Sequence, residues 1–405
     1  MRTRGKILGF VFLAALVLIP LSCFYVLFGG GRSFWDLRGA IDVIVFDPLA
    51  RWVALGGRDV GTARYKDHGD VKLCDMKTGK VLHLVALPDR PWAMAINHNG
   101  TLLSTYAPMT GSSYDLTVFA IPADGTPVRA HEQTLNFPSK DAFGFVGRYL
   151  VCAGEKQLAV IDTTDWTVLN TVRSYTQSPA LDPFSERIAL GQESNGYPVV
   201  LCWNLGAGEP KQLTDAKLPL AFLPHDKLVA ALSREPGGLA LWPEMGAAPH
   251  QSLPDSTGEW SGVCVSKDGQ SFAAWSGDGT VRVWKCDPRG ATVVSRLSVP
   301  RVCYALPTSV ADALALEVER RVTMKQRSDG GSEVASYDAG GAGLWSMSQG
   351  KRMVWFEDRD ILIQGSLLAV YLRGAEIVSV WDVSNLVQPK LLWEDRWRHG
   401  GSLFE

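Results

Sequence analysis

The sequence predicts an all-β fold, a β-propeller of eight radially arranged sheets, preceded by one transmembrane helix. Three observations predict this fold. An uncharged apolar run lies close to the N-terminus, glycine (40) and proline (22) are abundant, and eight strand–turn–strand phrases recur along the rest of the chain. Their spacing is about 44 residues, close to the roughly 40–45 of a four-stranded propeller blade. Seven blades remain the alternative, because the third and seventh phrases are weak.

Composition limits the function classes. Apolar residues make up 46% of the 405 residues, enough for a large core, and charged residues make up 20% with a net charge of -2. A near-neutral balance does not favour nucleic acid as a partner, because such binding usually needs a basic face. The composition therefore indicates a globular protein with many strands and turns.

The apolar run covers residues 7–28 and follows Arg2, Arg4 and Lys6. A helix needs roughly 20 apolar residues to cross a bilayer, whereas the core of a cleavable signal peptide is shorter, roughly 7–15 residues. The length therefore favours an uncleaved signal anchor. Cleavage before Cys23, as in a lipoprotein, or removal of the segment as a signal peptide stays open as the alternative.

The positive charges predict the orientation of the chain. Cationic residues before a transmembrane helix tend to stay in the cytoplasm. Residues 1–6 are then a cytoplasmic N-terminus, residues 29–40 a linker, residues 41–395 an extracytoplasmic propeller, and residues 396–405 a C-terminal tail. We therefore expect a single-pass membrane protein, with an exported lipoprotein or a secreted protein as the alternative.

The clearest phrase covers residues 266–284 and contains two Asp-Gly dipeptides, at Asp268 and Asp278. Such dipeptides favour tight hairpin turns because they tolerate positive φ. Alternation along the final strand places Val281 and Val283 on one face and Arg282 on the other. A strand with bulky side chains on both faces needs cover on both sides, and stacked blades provide it.

The same phrase recurs in weaker form in seven other places. Each phrase predicts two neighbouring strands. They are expected at residues 52–55 and 71–75, 102–103 and 116–119, 149–152 and 158–162, 188–190 and 199–204, 228–231 and 239–242, 313–316 and 343–345, and 367–371 and 378–382. Radial repetition of this kind leaves little exposed sheet edge.

Two stretches carry a family resemblance. Trp381-Asp382, preceded by Val-Ser-Val, and residues 278–284 resemble WD-repeat proteins, and the resemblance extends over about residues 41–393. It implies a propeller with Asp278 at the aspartate position of the family's buried His–Asp network. The family's Gly-His pairs are missing here, and the closing pair varies from Cys74-Asp75 to Trp203-Asn204. Other propellers, quinoprotein-like or lactonase-like, are the alternative fold.

Motifs for catalysis and metal binding are absent from the sequence. There is no H-E-x-x-H motif, no glycine-rich phosphate loop and no G-x-S-x-G elbow, and the seven histidines are scattered. The six cysteines after Cys23 lack C-x-x-C spacing, which predicts buried free thiols, with disulfides as the alternative. We therefore expect no metal, no cofactor and no enzymatic activity.

The topology of a propeller predicts a binding face. If the strands of a blade are lettered A to D from the centre outward, all B–C turns and D–A crossings lie at the same end of the sheets. Aromatic and cationic residues in these loops are candidates, because such residues are enriched at binding hot spots. The candidates are Tyr65, Lys66, Trp92, Tyr106, Tyr114, Tyr175, Tyr197, Trp260, Arg301 and Arg327. The alternative is that these loops are tolerated insertions, and the seventh, residues 320–341, is expected to be a flexible loop.

These observations predict a membrane-tethered propeller that acts as a scaffold for protein–protein interactions. An exported hydrolase or oxidoreductase is one alternative, and it requires ionisable side chains from several blades to converge on one point. A sensor domain that binds a small ligand or glycan outside the membrane is another.

Overall fold

The computed structural model describes residues 40–396 with short gaps. The gaps are residues 60–67, 109–112, 123–125, 137–141, 155–156, 174, 183–184, 195–196, 208, 214, 225–226, 234–236, 243–250, 267, 288–289, 309–311, 320, 327–331, 339, 358, 365 and 372–376. The predicted anchor at residues 7–28 lies outside the described residues. Within them, no helix is long and apolar enough to cross a bilayer.

Eight four-stranded antiparallel sheets, the blades, form the fold, each made of four consecutive strands in the order A to D apart from one insertion in blade 7. The prediction of eight blades is confirmed. Blade 1 contains β1 (Ala40–Phe46), β2 (Trp52–Asp59), β3 (His68–Asp75) and β4 (Val81–Leu87); blade 2 contains β5 (Ala93–Ile96), β6 (Leu102–Pro108), β7 (Tyr114–Ala120) and β8 (Val128–Leu135); blade 3 contains β9 (Ala142–Val146), β10 (Tyr149–Gly154), β11 (Gln157–Asp162) and β12 (Val168–Arg173); blade 4 contains β13 (Tyr175–Leu181), β14 (Arg187–Ser194), β15 (Tyr197–Asn204) and β16 (Lys211–Leu213).

The second half continues the pattern. Blade 5 contains β17 (Ala216–Phe222), β18 (Leu228–Leu232), β19 (Leu239–Trp242) and β20 (Gln251–Ser252); blade 6 contains β21 (Gly262–Val265), β22 (Ser271–Trp275), β23 (Thr280–Asp287) and β24 (Gly290–Ser298); blade 7 contains β25 (Val302–Pro307), β26 (Ala313–Val318), the inserted hairpin β27 (Arg321–Gln326) and β28 (Ser332–Asp338), then β29 (Gly341–Ser346) and β30 (Lys351–Glu357); blade 8 contains β31 (Asp360–Gln364), β32 (Leu367–Tyr371), β33 (Ile377–Asp382) and β34 (Lys390–Arg396).

The predicted phrases are the B and C strands. These strands lie in the middle of each sheet and between two neighbouring blades, so both of their faces are covered. All residues of β10 and β18 are buried. In β23, Val281 and Val283 pack toward blade 7 and Trp284 toward blade 5, which confirms the predicted two-faced strand.

A recurrent hydrogen bond closes the A–B turns. The N–H of the residue after the A strand donates to the carbonyl five residues later, for Asp47 at 3.0 Å and for Asn97 at 3.1 Å. The buried side chain at this position then caps the turn, because Asp47 accepts from the backbone N–H and the guanidinium of Arg51. A buried acceptor side chain at this position therefore stabilises the turn, although blade 5 has Leu223 there.

The C–D turns explain the variable closing pair. Asp75 Oδ1 accepts hydrogen bonds from Lys77 N and Thr78 Oγ1, and Asp382 Oδ1 accepts one from Ser384 N at 2.9 Å. A short side chain with an acceptor oxygen stabilises such a turn, which is why Asp or Asn recurs there. The hydrogen bonds that Asp278 makes are also local, since it accepts from Ser276 Oγ and from Thr280 N.

Side-chain packing closes the ring. Each of the two blades at the junction is made of consecutive strands, so blade 8 meets blade 1 through their faces. Trp393 of β34 is buried in the cluster that joins these blades, and its Nε1 donates to Met76 O at 2.9 Å. Gly79 lies under the ring of Trp393.

Two predictions need correction. Residues 320–341, expected to be a flexible loop, contain the antiparallel hairpin of β27 and β28, in which Val322 pairs with Tyr337. The register places Val322 opposite Tyr337 and Met324 opposite Val334, and such cross-strand apolar pairs favour a hairpin. The six described cysteines form no disulfide with one another, and Cys303 is exposed, which departs from the prediction of burial.

Candidate binding site on the loop face

The B–C turns and D–A crossings lie at one end of the sheets, here called the loop face. Ser261 N, in the crossing from blade 5 to blade 6, donates to Trp275 O at the end of β22 at 2.8 Å. In the next crossing, Val299 N donates to the B–C turn at Gly279 O, also at 2.8 Å. The geometry that the alternation of hairpins predicts is therefore present in this structure.

Three of the predicted residues meet in one aromatic cluster. The rings of Tyr106 and Tyr114 are stacked at 5.4 Å, and Trp92 lies 5.6 Å from Tyr114. Tyr106 also approaches Phe143 of blade 3 at 5.7 Å. Tyr106 is fully buried, whereas Trp92 and Tyr114 are half-buried. The contacts of Tyr106 are therefore those of a core residue that joins blades 2 and 3.

The other predicted residues are spread over the face. Arg301 is half-buried, and its Nη1 donates to Glu319 O at 3.0 Å. Tyr175 and Tyr197 begin β13 and β15, but their side chains lie outside the described part of the structure. Tyr65, Lys66 and Arg327 also lie outside the described residues.

Trp260 is held in the crossing between blades 5 and 6. Its Nε1 donates to Ser256 O at 2.7 Å, and its ring meets that of Trp284 edge-on at 5.8 Å. Ser256 is itself fixed, since its hydroxyl accepts from Leu239 N and donates to Leu253 O. The crossing is therefore a rigid element, and Trp260, only 8% exposed, forms part of the floor beneath it.

A polar groove of about 520 Å³ lies on one side of Trp260. It is lined by Thr257, Gly258, Glu259, Trp260, Ser261, Ser276, Gly277, Asp278, Thr280 and Arg282. The hydrogen bond from the Ser276 hydroxyl lowers the pKa of Asp278, so this carboxylate is charged at neutral pH. Glu259 is largely exposed and pairs with Lys217 at 3.0 Å.

Arg282 forms one wall of this groove. Its guanidinium carbon lies 5.7 Å from the centre of the Trp260 ring, and it interacts electrostatically with Asp278 and Asp255. Its Nε is buried and has no hydrogen-bond partner among the described residues. A buried donor without an acceptor is costly, so this arginine is held in place by its stacking on Trp260 and by the neighbouring carboxylates and not by a hydrogen bond of its Nε.

An apolar cleft of about 490 Å³ lies on the other side of Trp260. It is lined by Pro179, Ala180, Leu218, Pro219, Leu220, Trp260, Ser261, Gly262, Val263 and Trp275. These residues come mainly from the A strands of blades 4, 5 and 6. A methyl group at Gly262 would lie 2.0 Å from the ring of Trp275, so the absence of a side chain at Gly262 permits this packing.

The two compartments share Trp260 and Ser261 and form one composite site. One side offers hydrogen-bonding groups and charges of both signs, and the other offers apolar surface, which suits an extended peptide better than a small polar molecule. In the described part of the chain, no three His, Cys, Asp or Glu side chains are grouped to hold a metal ion.

Sequence reasoning found Trp260 but not Arg282 or Trp275. Both of these lie in strands, while the prediction considered loops. A charged residue between Val281 and Val283 was the available signal, since an arginine inside an apolar C strand has to reach a polar surface.

Comparison with known proteins identifies the fold. The C-terminal WD40 domain of Sif2 is similar at 12% identity with a TM-score of 0.50, over 82% of this chain and 94% of that one. The fold is an eight-bladed β-propeller of the WD40 type. A eukaryotic initiation factor matches at 13% identity and a TM-score of 0.50, over 89% of this chain and 91% of that one.

Hsv2p of Kluyveromyces lactis is similar at 12% identity with a TM-score of 0.47, over 75% of this chain and 98% of that one. No protein-family model matches the chain, and no curated protein matches it either. Identities this low establish the WD40-type fold alone, so function has to be argued from the site.

Proposed function

We propose that this protein is a membrane-tethered interaction scaffold whose WD40-type propeller binds an extended segment of a protein partner at the loop face. Propellers of the WD40 type typically serve as protein-interaction scaffolds. The observation that carries the proposal is the composite site around Trp260, where a polar groove and an apolar cleft adjoin.

The chemistry of the site suits a peptide. Arg282 lines the groove and carries guanidinium N–H donors for a backbone carbonyl or a carboxylate, and Asp278 and Glu259 can accept from backbone N–H groups or a cationic side chain. The apolar cleft would take an aliphatic or aromatic side chain two or more positions along the same segment. Tryptophan and arginine at the centre of an interface are the residue types that most often dominate binding.

The membrane tether is the second part of the proposal. It is supported by the uncharged residues 7–28 behind three cationic residues. On this proposal the propeller lies outside the cytoplasm. Extraction of membranes at alkaline pH should leave the full-length protein in the membrane fraction, and protease added to membrane vesicles should digest the propeller when the cytoplasmic face is inside and spare it when the cytoplasmic face is outside. Release at alkaline pH would contradict the tether, and the reverse pattern of digestion would contradict the orientation.

The binding proposal is tested with Arg282→Ala, and Lys285→Ala is the matched control. Both residues lie on β23, but Lys285 is exposed and does not line the groove. The tagged full-length proteins are purified in mild detergent, and far-UV circular dichroism verifies that both are folded. We expect a partner that co-purifies with wild type and with Lys285→Ala but is reduced at least tenfold with Arg282→Ala.

The possible contrary results are distinct. If the partner is retained equally by both variants, the scaffold stands but its binding site is elsewhere. If wild type retains nothing beyond what a propeller-free anchor retains, the scaffold proposal fails.

A further inference from the structure

Within the described part of the structure, the outer strand of blade 1 is a sheet edge with which no further strand pairs. In its sheet β4 has one neighbour, β3, so one row of its backbone N–H and C=O groups faces outward. Proteins usually protect such edges with charged residues or proline, because an open edge is a template for another strand. β4 has the sequence Val-Leu-His-Leu-Val-Ala-Leu, with no proline and no Asp, Glu, Lys or Arg.

The other outer strands are protected. Among the eight outer strands that the structure describes, each one longer than two residues, β4 apart, carries at least one charged residue. β8 has Arg129 and Glu132, and β24 has Arg296, which pairs with Asp255. The two-residue β20 is too short to act as a template.

Apolar side chains of β4 are exposed to an unusual degree for a strand. Leu84 is 57% exposed, and Val81 and Leu82 are also exposed. Val85 and Leu87 pack into the cluster between blades 1 and 2, so alternation places Leu84 and Ala86 on the opposite face of the strand.

The exposed large apolar residues lie mostly in the half of the ring that contains this strand. All the large apolar side chains that are exposed in the described structure, except Val294, belong to blades 8, 1, 2 and 3, which are consecutive in the ring. Among them, Val387 and Leu391 lie in blade 8, the neighbour of blade 1. A concentration of exposed apolar surface on one side of a molecule marks an interaction site more often than scattered single residues do.

We propose that β4 is a self-association site, at which it pairs antiparallel with β4 of a second copy of this chain. The strand is seven residues long, and Leu84 is its centre. Two-fold pairing therefore places Leu84 opposite Leu84, His83 opposite Val85, and Leu82 opposite Ala86. No pair in this register brings two like charges together, which would oppose the pairing.

Two properties of β4, its lack of charge and the small area that it can bury, indicate that its partner is the β4 strand of a second copy. An uncharged edge selects an uncharged strand, and β4 itself provides one in matching register. A stable dimer buries about 1,200–2,000 Å². One pair of short strands buries less, so the dimer is reversible and forms at high local concentration, with Val387 and Leu391 available to widen the contact. An isologous pair uses up both free edges and closes, so it does not polymerise.

Cross-linking tests the register. The full-length protein with Leu84→Cys, purified in mild detergent, is oxidised with copper phenanthroline beside wild type, which measures the background from the native cysteines. Directly opposed residues on antiparallel strands have Cα atoms about 4.5–5.5 Å apart, which lies within the range of about 4.4–6.8 Å that a disulfide spans. We expect a covalent dimer for Leu84→Cys at least fivefold above wild type. Val294→Cys, on the outer strand of blade 6 with similar exposure, is the matched control and should stay at background.

Sedimentation velocity over a range of concentrations tests the association itself. Wild type and Val294→Lys should form a dimer as concentration rises, and Leu84→Lys should remain monomeric. A monomeric wild type would overturn the proposal, as would a dimer that persists in Leu84→Lys, equal cross-linking of the two cysteine variants, or a ladder of higher oligomers. A partner that binds β4 in place of a second copy would leave wild type monomeric. The site at β4 is remote from Arg282, so its failure would not affect the loop-face proposal.

Discussion

Replacement of Gly79 by alanine should weaken the packing between blade 1 and blade 8 and so destabilise the fold. Gly79 lies in the C–D turn of blade 1 with φ +71°, and its N–H donates to Asp75 O at 2.9 Å. A methyl group on Gly79 would lie 2.7 Å from the Trp393 ring of blade 8. Two costs therefore add. A left-handed alanine costs about 1–2 kcal/mol, and an extra methyl in a packed contact costs about 1–3 kcal/mol.

The matched control is Gly350→Ala. Gly350 has φ +62° and donates to Ser346 O at 2.9 Å in the corresponding turn of blade 7, but its methyl group would lie 3.5 Å from Leu297, an ordinary contact. The control therefore carries the backbone cost alone. We expect Gly79→Ala to lower the free energy of unfolding by about 2–5 kcal/mol and Gly350→Ala by about 1–2 kcal/mol.

Urea unfolding followed by far-UV circular dichroism measures both variants, and a double mutant isolates the contact. In a Trp393→Ala background the ring is gone, so Gly79→Ala should cost about 1–2 kcal/mol, as Gly350→Ala does. Equal costs for the two glycine variants in the wild-type background would refute the reasoning. A cost of Gly79→Ala that does not change when Trp393 is removed would also refute it.

Three further predictions follow from the described side chains. Hydrogen bonds from Thr78 lower the pKa of Asp75, so its carboxylate stabilises the fold above the unfolded pKa of about 3.9, and this contribution is lost as pH falls through the folded value. Asp75→Ala should therefore lower the free energy of unfolding by about 1 kcal/mol at pH 6 and by less at pH 2.5. A difference that is the same at both pH values would contradict this prediction. Although Cys303 is an exposed residue, partial desolvation of its thiol and the neighbouring Glu317 carboxylate raise its pKa to about 11, so about one thiol in a thousand is ionised at pH 8. Iodoacetamide, followed by mass spectrometry, should therefore alkylate Cys303 slowly, about tenfold faster per pH unit, and should alkylate the buried Cys152 only after unfolding. Rapid alkylation of Cys152 in the folded protein would disagree. Gly262→Ala should lower the free energy of unfolding in urea by about 1–3 kcal/mol because its methyl group meets the Trp275 ring. Gly277→Ala is the control, and it should lower the free energy much less because the nearest atom to its methyl group is 3.9 Å away. Equal losses for the two variants would count against the packing described for the apolar cleft.

The candidate site shows how far loop positions can guide prediction. Trp260 was predicted because it lies in a crossing, and the structure places it at the floor of the composite site. Arg282 follows it by 22 positions in another element and reaches the same groove because β23 presents one face to the crossing. Tyr106, predicted from the same kind of position, is fully buried between blades 2 and 3. Whether an aromatic residue at a strand end is core or surface depends on the neighbouring blade.

The repeat pattern by itself predicted eight blades, with seven as the alternative that the structure excluded, and it located the central strands. B and C strands are covered on both faces, so their residues are strongly apolar and recur at a regular spacing that local reading detects. The A strands are shorter or irregular, as in β17, whose pairing with β18 skips between Lys217 and Leu220, and the D strands alternate with solvent, so their signals are weaker.

Only the tertiary structure decided how the blades meet. Trp393 and Met76 are separated by 317 positions, and no local pattern connects them. Their hydrogen bond exists because eight twisted sheets complete a circle, which brings the last blade against the first. The exposure of Leu84 on β4 and the meeting of Trp260 with Arg282 depend on the same cause. The local sequence shows which faces of a strand are buried. Which residues cover each face depends on the twist and the number of all the blades together.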